Sequence, residues 1–166
     1  MEYFQRKGGQ ILLLVLSLIG VGISIYLTVI HYNHAPVVCS ASGVVNCELV
    51  LSSTYSSVPG TTIPISIPGL LWTLVGAGLA VAALVLGPAR KWVRIAEVAW
   101  TGLGMLTVFY LVYAELVRLH AICAWCTGLH VIIFIMFLSS ILLLQGPEQD
   151  EEEYDLEEEE EPLAAH

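Results

Sequence analysis

The sequence predicts an all-α integral membrane protein: a bundle of four transmembrane helices under an external lid loop that has room for one short helix. Composition is the first observation. Of 166 residues, 57% are hydrophobic and 13% charged, and mean hydropathy is +0.78. A soluble domain carries about 45–50% apolar and about 25% charged residues, so that class is excluded, as is disorder over most of the length. The second observation is four apolar stretches, each long enough at about 1.5 Å per residue to cross about 30 Å of hydrocarbon. The third is where the charges lie. The net charge of −9 is local, because 11 of the 15 acidic residues lie between Glu148 and Glu161, leaving four acidic against six basic groups elsewhere. Those basic residues form no stripe, which argues against a nucleic-acid partner and leaves membrane lipid as the surroundings.

Residues 1–9 read as a cytoplasmic N-terminus. The first span, about 10–30, has Gln10, Ser17, Ser24 and Thr28 as its only clearly polar residues. Arg6 and Lys7 precede it as they would a signal peptide. Its apolar run nevertheless exceeds an h-region of about 7–15 residues, and no small-residue cleavage site follows before His31. It therefore reads as a retained span. Residues 31–66 hold Pro36, Pro59, Gly60 and Pro64 among many Ser and Thr, the composition of an irregular loop. Apolar residues in that loop, among them Val37, Val44, Leu49 and Ile63, favour a lid lying on the bundle over a free linker.

The second span, about 67–86, is rich in Leu, Val, Ala and Gly. The third, about 93–113, carries Glu97 near its start, and a short turn over 114–123 leads into the fourth, about 124–144. The membrane domain is thus 10–144. Gly20, Gly22, Gly76, Gly78, Gly102 and Gly104 suit close helix–helix approach in lipid. Residues 145–166 are too acidic to bury a core and read as a disordered cytoplasmic tail.

Orientation follows from Lys and Arg. Arg6, Lys7, Arg90, Lys91 and Arg94 fall on one side and Arg118 on the other. The positive-inside rule then puts both termini in the cytoplasm of a multi-pass plasma (inner) membrane protein, with the lid on the external or periplasmic face.

All four cysteines, Cys39, Cys47, Cys123 and Cys126, fall on that external side, where disulfides persist. The second pair, C-A-W-C, opens the fourth span. Residues three apart share a helix face, and a sulfur at a helix start meets unpaired N–H groups and the positive end of the dipole. Both favour thiolate, the species that attacks in disulfide exchange. Other readings stand beside a redox relay: packing of small apolar side chains, two inert structural disulfides, or a zinc site, for which a C-x7-C spacing is ill suited. No metal is expected.

Taken together, C-x7-C (Cys39, Cys47), Ser52 and Ser53 just after it, a Pro/Gly-rich stretch into span two, and CAWC opening the last span resemble the vitamin K epoxide reductase family over about 10–144. The resemblance implies a four-helix bundle around a quinone of the menaquinone, ubiquinone or phylloquinone type, capped by the lid. It implies Cys39 and Cys47 as the pair that meets a separate thioredoxin-fold partner, Cys123 and Cys126 as the active-site pair with Cys126 nearest the quinone, and Ser53 as the supporting loop serine. Where animal members carry an asparagine before span two and a tyrosine after the CxxC, this chain has Ile65 or Ser66 and His130. Ser66 and His130 are therefore its candidate quinone contacts, the latter because it lies four residues after Cys126 on one helical face. The implied activity is a membrane thiol:quinone oxidoreductase supporting disulfide formation outside the cytoplasm. Vitamin K epoxide or quinone reduction proper is the near alternative, and a non-catalytic assembly protein with two structural disulfides the distant one.

Overall fold

The computed structural model describes residues 2–39, 43–86 and 91–145, with side chains from Lys7 onward; the Arg6 side chain, Arg90 and the acidic tail lie outside the described residues. Four long helices dominate: α1 (Glu2–Asn33), α3 (Ser66–Leu86), α4 (Lys91–Tyr113) and α5 (Ala124–Gln145), with a short α2 (Cys47–Ser52) in the lid. Each long helix contains a stretch apolar and long enough to span a membrane. All backbone polar groups within lipid must be paired inside the protein, and helices do this within a single segment. No strand forms among the described residues, only two isolated bridges.

The helices begin and end later or earlier than hydropathy alone suggests. Helix α1 runs from Glu2, because helical backbone continues through residues that hydropathy assigns to solvent. Helix α4, the third span, does not stop at Tyr113. It widens into a π-helical turn, Ala114–Leu119, closed by His120 in the left-handed region (φ 52°). What the sequence reads as a plain turn is thus largely helical.

The four helices are apolar outside and selectively polar inside, the reverse of a soluble bundle. Leu18, Val85, Phe109 and Leu142 are exposed, whereas Gln10, Ser17 and Ser24 of α1 are buried at seven-residue spacing. Thr73 on α3, Thr101 and Glu97 on α4 and Ser140 on α5 also point inward, with the Thr101 and Ser140 hydroxyls 2.8 Å apart. At the end of the bundle far from the cysteines, Gln10 Nε2 donates to Glu97 Oε2 (3.0 Å) and Arg94 donates to the Leu143 carbonyl (3.0 Å). These bonds tie α1 to α4 and α4 to α5.

Small residues set the helix spacing at some positions only. A Cβ on Gly20 would come within 2.8 Å of Thr73, and one on Gly104 within 2.4 Å of the Trp72 indole. Gly76 faces Ser17 and Gly102 faces Phe137, but Gly22 and Gly78 have nothing within 4 Å. The expectation of packing for those last two is corrected: they lie on outward faces. Helix α1 packs along α3, α4 along α5, and α3 touches α4 least among these neighbouring pairs.

Candidate functional site

Hydrogen bonds fix the lid to the bundle, and those near its cysteines determine where they sit. Backbone Asn46 N–H donates to Ile122 O (3.0 Å) and Ile122 N–H to Val44 O (2.9 Å), a short parallel bridge beside Cys123. The Asn46 side chain accepts from Leu49 N–H, capping α2 so that its first residue, Cys47, begins the helix. Trp125, inside the CAWC motif, donates from its indole to Val38 O (2.9 Å) and contacts Tyr26, whose hydroxyl accepts from Val38 N–H (3.2 Å). These bonds hold Cys39 and Cys47 against the start of α5, with Cys39–Cys47 closed as a disulfide. Cys47 (2% exposed) and Cys123 (0%) lie in one buried apolar cluster, with Cys39 and Cys126 packed on it.

Cys123 and Cys126 are free thiols. Cys123 immediately precedes α5, and its sulfur accepts the Cys126 backbone N–H at 3.4 Å, the bond a helix-capping side chain makes. A hydrogen bond from the Cys126 thiol, chiefly, together with the Cys126 and Trp125 backbone N–H groups, holds the Cys123 thiol below its ordinary value; burial and the Glu115 carboxylate oppose this. Because Cys123 lies outside the helix, its side chain does not follow the helical period. The expected single face for Cys123, Cys126 and His130 is corrected accordingly: Cys126 and His130 line one cavity, while Cys123 faces the lid.

That cavity has a volume of about 300 Å³ and lies under the lid between the helices. Its walls are mostly apolar, with Leu27, Trp72, Val108 and Ile133 among them, and Leu51, Ser56 and Pro64 of the lid contribute to it. Its polar groups are few. The His130 ring is 7% exposed and makes no hydrogen bond to a described residue. Ser24 Oγ is fully buried and likewise unpartnered. Ser66 lines the cavity and accepts from Thr28 (2.8 Å). The sequence missed Ser24 and His31 as lining residues; the signal was there in the seven-residue spacing of 10, 17, 24 and 31. Ser53 is not part of this wall. Its hydroxyl donates to Val50 O (2.7 Å), closing α2.

A flat molecule with carbonyl oxygens at its edge fits these residues: apolar walls for the ring, unused hydrogen-bonding groups at its rim, and a sulfur at one side. A four-helix membrane bundle with one closed and one open cysteine pair above such a cavity is a membrane oxidoreductase of the disulfide/quinone kind. The chain belongs to the vitamin K epoxide reductase family, whose model matches residues 11–141. A search of curated proteins found no match. Among the described residues no group of His, Cys, Asp or Glu could hold a metal ion.

Proposed function

We propose that this protein reoxidises a separate thioredoxin-fold partner outside the cytoplasm and passes the electrons through Cys39–Cys47 and Cys123–Cys126 to a membrane quinone. One observation carries the reading: Cys126 forms part of the cavity wall, while Cys123 is buried with Cys47 of the lid. Each cysteine of the second pair therefore has its own neighbour.

One thiolate of the partner's dithiol attacks the lid bridge and its second thiol resolves the mixed disulfide, so the partner leaves oxidised and Cys39 and Cys47 are left reduced. Cys47 then attacks Cys123, breaking the Cys123–Cys126 bond, and Cys39 attacks Cys47 to re-form the lid bridge and release Cys123. A thiol of lowered pKa is the better leaving group, which suits Cys123 to that last step. Quinone supplies the two-electron acceptor when bound. His130, Ser66 and Ser24 would hold its carbonyl oxygens, and Trp72, Ile133 and the lid would keep water out.

The test is reduction of a soluble quinone analogue by the dithiothreitol-reduced protein, followed by loss of quinone absorbance. Cys126→Ala should abolish it, and the same variant with its lid disulfide intact should accumulate a Cys47–Cys123 bridge on non-reducing peptide mapping, as Cys123 attacks the Cys39–Cys47 bond and Cys39 leaves as the thiol. Undiminished quinone reduction in Cys126→Ala, or a wild-type mixed disulfide joining the lid to Cys126, overturns the relay.

A further inference from the structure

We infer that Glu115 is the proton carrier of the Cys123–Cys126 pair: in the reduced protein it holds the proton that Cys123 gives up, and it releases that proton when the pair is oxidised. The inference rests on the proposed thiol oxidation and adds to it a residue outside the cysteine motif.

The observation is a buried acid directly beside the thiols. Glu115 is 6% exposed and lies in the π-helical turn that ends α4. Such turns are rare and concentrate at functional sites. Its carboxylate accepts the Cys123 backbone N–H and interacts electrostatically with both Cys123 and Cys126. Its own backbone carbonyl accepts from His120 and Ala121 N–H, so both ends of the residue are anchored to the approach to Cys123. The cation of the same turn does not neutralise it: Arg118 donates from Nε to the Tyr55 hydroxyl (3.0 Å) at the surface. The elements packed on this turn, α2 and α4, bring Glu48, Tyr110 and Tyr113, all exposed, and Cys47, locked in the lid disulfide. His120 is exposed as well. Cys123 and Cys126 are the buried titratable partners that remain.

The step balances. The reduced state holds Cys123 thiolate, Cys126 thiol and Glu115 carboxylic acid. Oxidation forms the Cys123–Cys126 bond, two electrons leave to the quinone, and the protons from Cys126 and Glu115 leave with them to give hydroquinone. Glu115 returns to carboxylate. Two like charges so close would oppose each other, so thiolate and carboxylate exchange one proton in place of both ionising.

Redox-difference infrared spectroscopy tests this without quinone. Dithiothreitol reduction of the wild-type protein should raise a protonated-carboxyl C=O band that moves in heavy water, is lost in Glu115→Gln and is displaced in Glu115→Asp. Glutamine keeps an acceptor for the Cys123 N–H, so the local fold is retained. With quinone present, Glu115→Gln should turn over roughly 10²-fold more slowly at neutral pH. The deficit should shrink as pH rises, because solvent base then takes the thiol proton, and Glu115→Asp should recover part of the rate. Absence of the band in wild type, its persistence in Glu115→Gln, or a rate deficit constant with pH overturns the assignment. A band without quinone turnover sinks the oxidase reading and leaves Glu115 standing; turnover without the band does the reverse.

Discussion

At position 130 an imidazole is buried in the cavity wall one turn along α5 from Cys126, with no hydrogen bond to a described residue. Buried polar groups are normally paired, and an ionisable residue inside a span usually faces a ligand or proton path. His130→Phe keeps the volume and removes both ring nitrogens. It should leave dithiothreitol-to-lid exchange unchanged while raising the quinone KM or slowing quinone reduction by roughly 10²–10⁴-fold. Quinone kinetics unchanged in a folded variant would return His130 to a packing role. This residue was legible from sequence because its distance from Cys126 is one helical turn, and both lie within a helix. The unspent hydroxyl of Ser24 and the burial of Glu115 were not. A serine in an apolar span ordinarily spends its hydroxyl on the carbonyl four residues back, and only the fold reveals that Ser24 does not. Glu115 falls in the stretch that the sequence reads as a plain turn, and only the fold shows it buried within a π-helical one.

Helices α3 and α4 meet through a stacked indole pair. Trp72 and Trp100 lie with ring centroids 6.2 Å apart and 10° between planes, each donating to the other's backbone carbonyl. Gly104 is what lets Trp72 lie there, since a Cβ would come within 2.4 Å of the indole. The indole is rigid, and this seam also walls the cavity. Gly104→Ala should therefore push Trp72 off Trp100, costing about 1–3 kcal/mol by overpacking, and raise the quinone KM. Thermal unfolding in detergent and quinone titration check the two effects, and an unchanged Tm would show that the seam yields freely. At this scale the long helices were legible because their apolar runs match the hydrocarbon thickness. The bridge of Val45 to Ile122 was not. It joins residues 77 apart through backbone atoms, which carry no side-chain signal. Yet it is this bridge that brings Cys47 beside Cys123.

The whole molecule has two unlike ends. One carries the lid, the cysteines and Arg118; the other carries Lys7, Lys91 and the buried Gln10, Arg94 and Glu97. Arg94 weakens the sequence argument for orientation slightly, because it is 6% exposed and bonded to the Leu143 carbonyl, not a loop charge facing lipid headgroups. Arg6, Lys7, Arg90 and Lys91 still oppose Arg118 alone, and the positive-inside rule counts just these flanking residues. Two positions report the topology directly: Ser57 in the lid, and Trp92 at the other end, 83% exposed. In cysteine-free protein, single thiols introduced as Ser57→Cys and Trp92→Cys should be labelled by an impermeant maleimide from opposite sides of the intact membrane. Ser57→Cys should react from outside and Trp92→Cys only after the membrane is opened. Labelling of both from one side would refute the crossing of the membrane by α3, which alone separates the two positions, and with it the four-span count. Opposite labelling with the sides exchanged would keep the bundle but turn the cysteines toward the cytoplasm. There glutathione and thioredoxin keep thiols reduced, and a relay that makes disulfides for an external partner would have no substrate to meet.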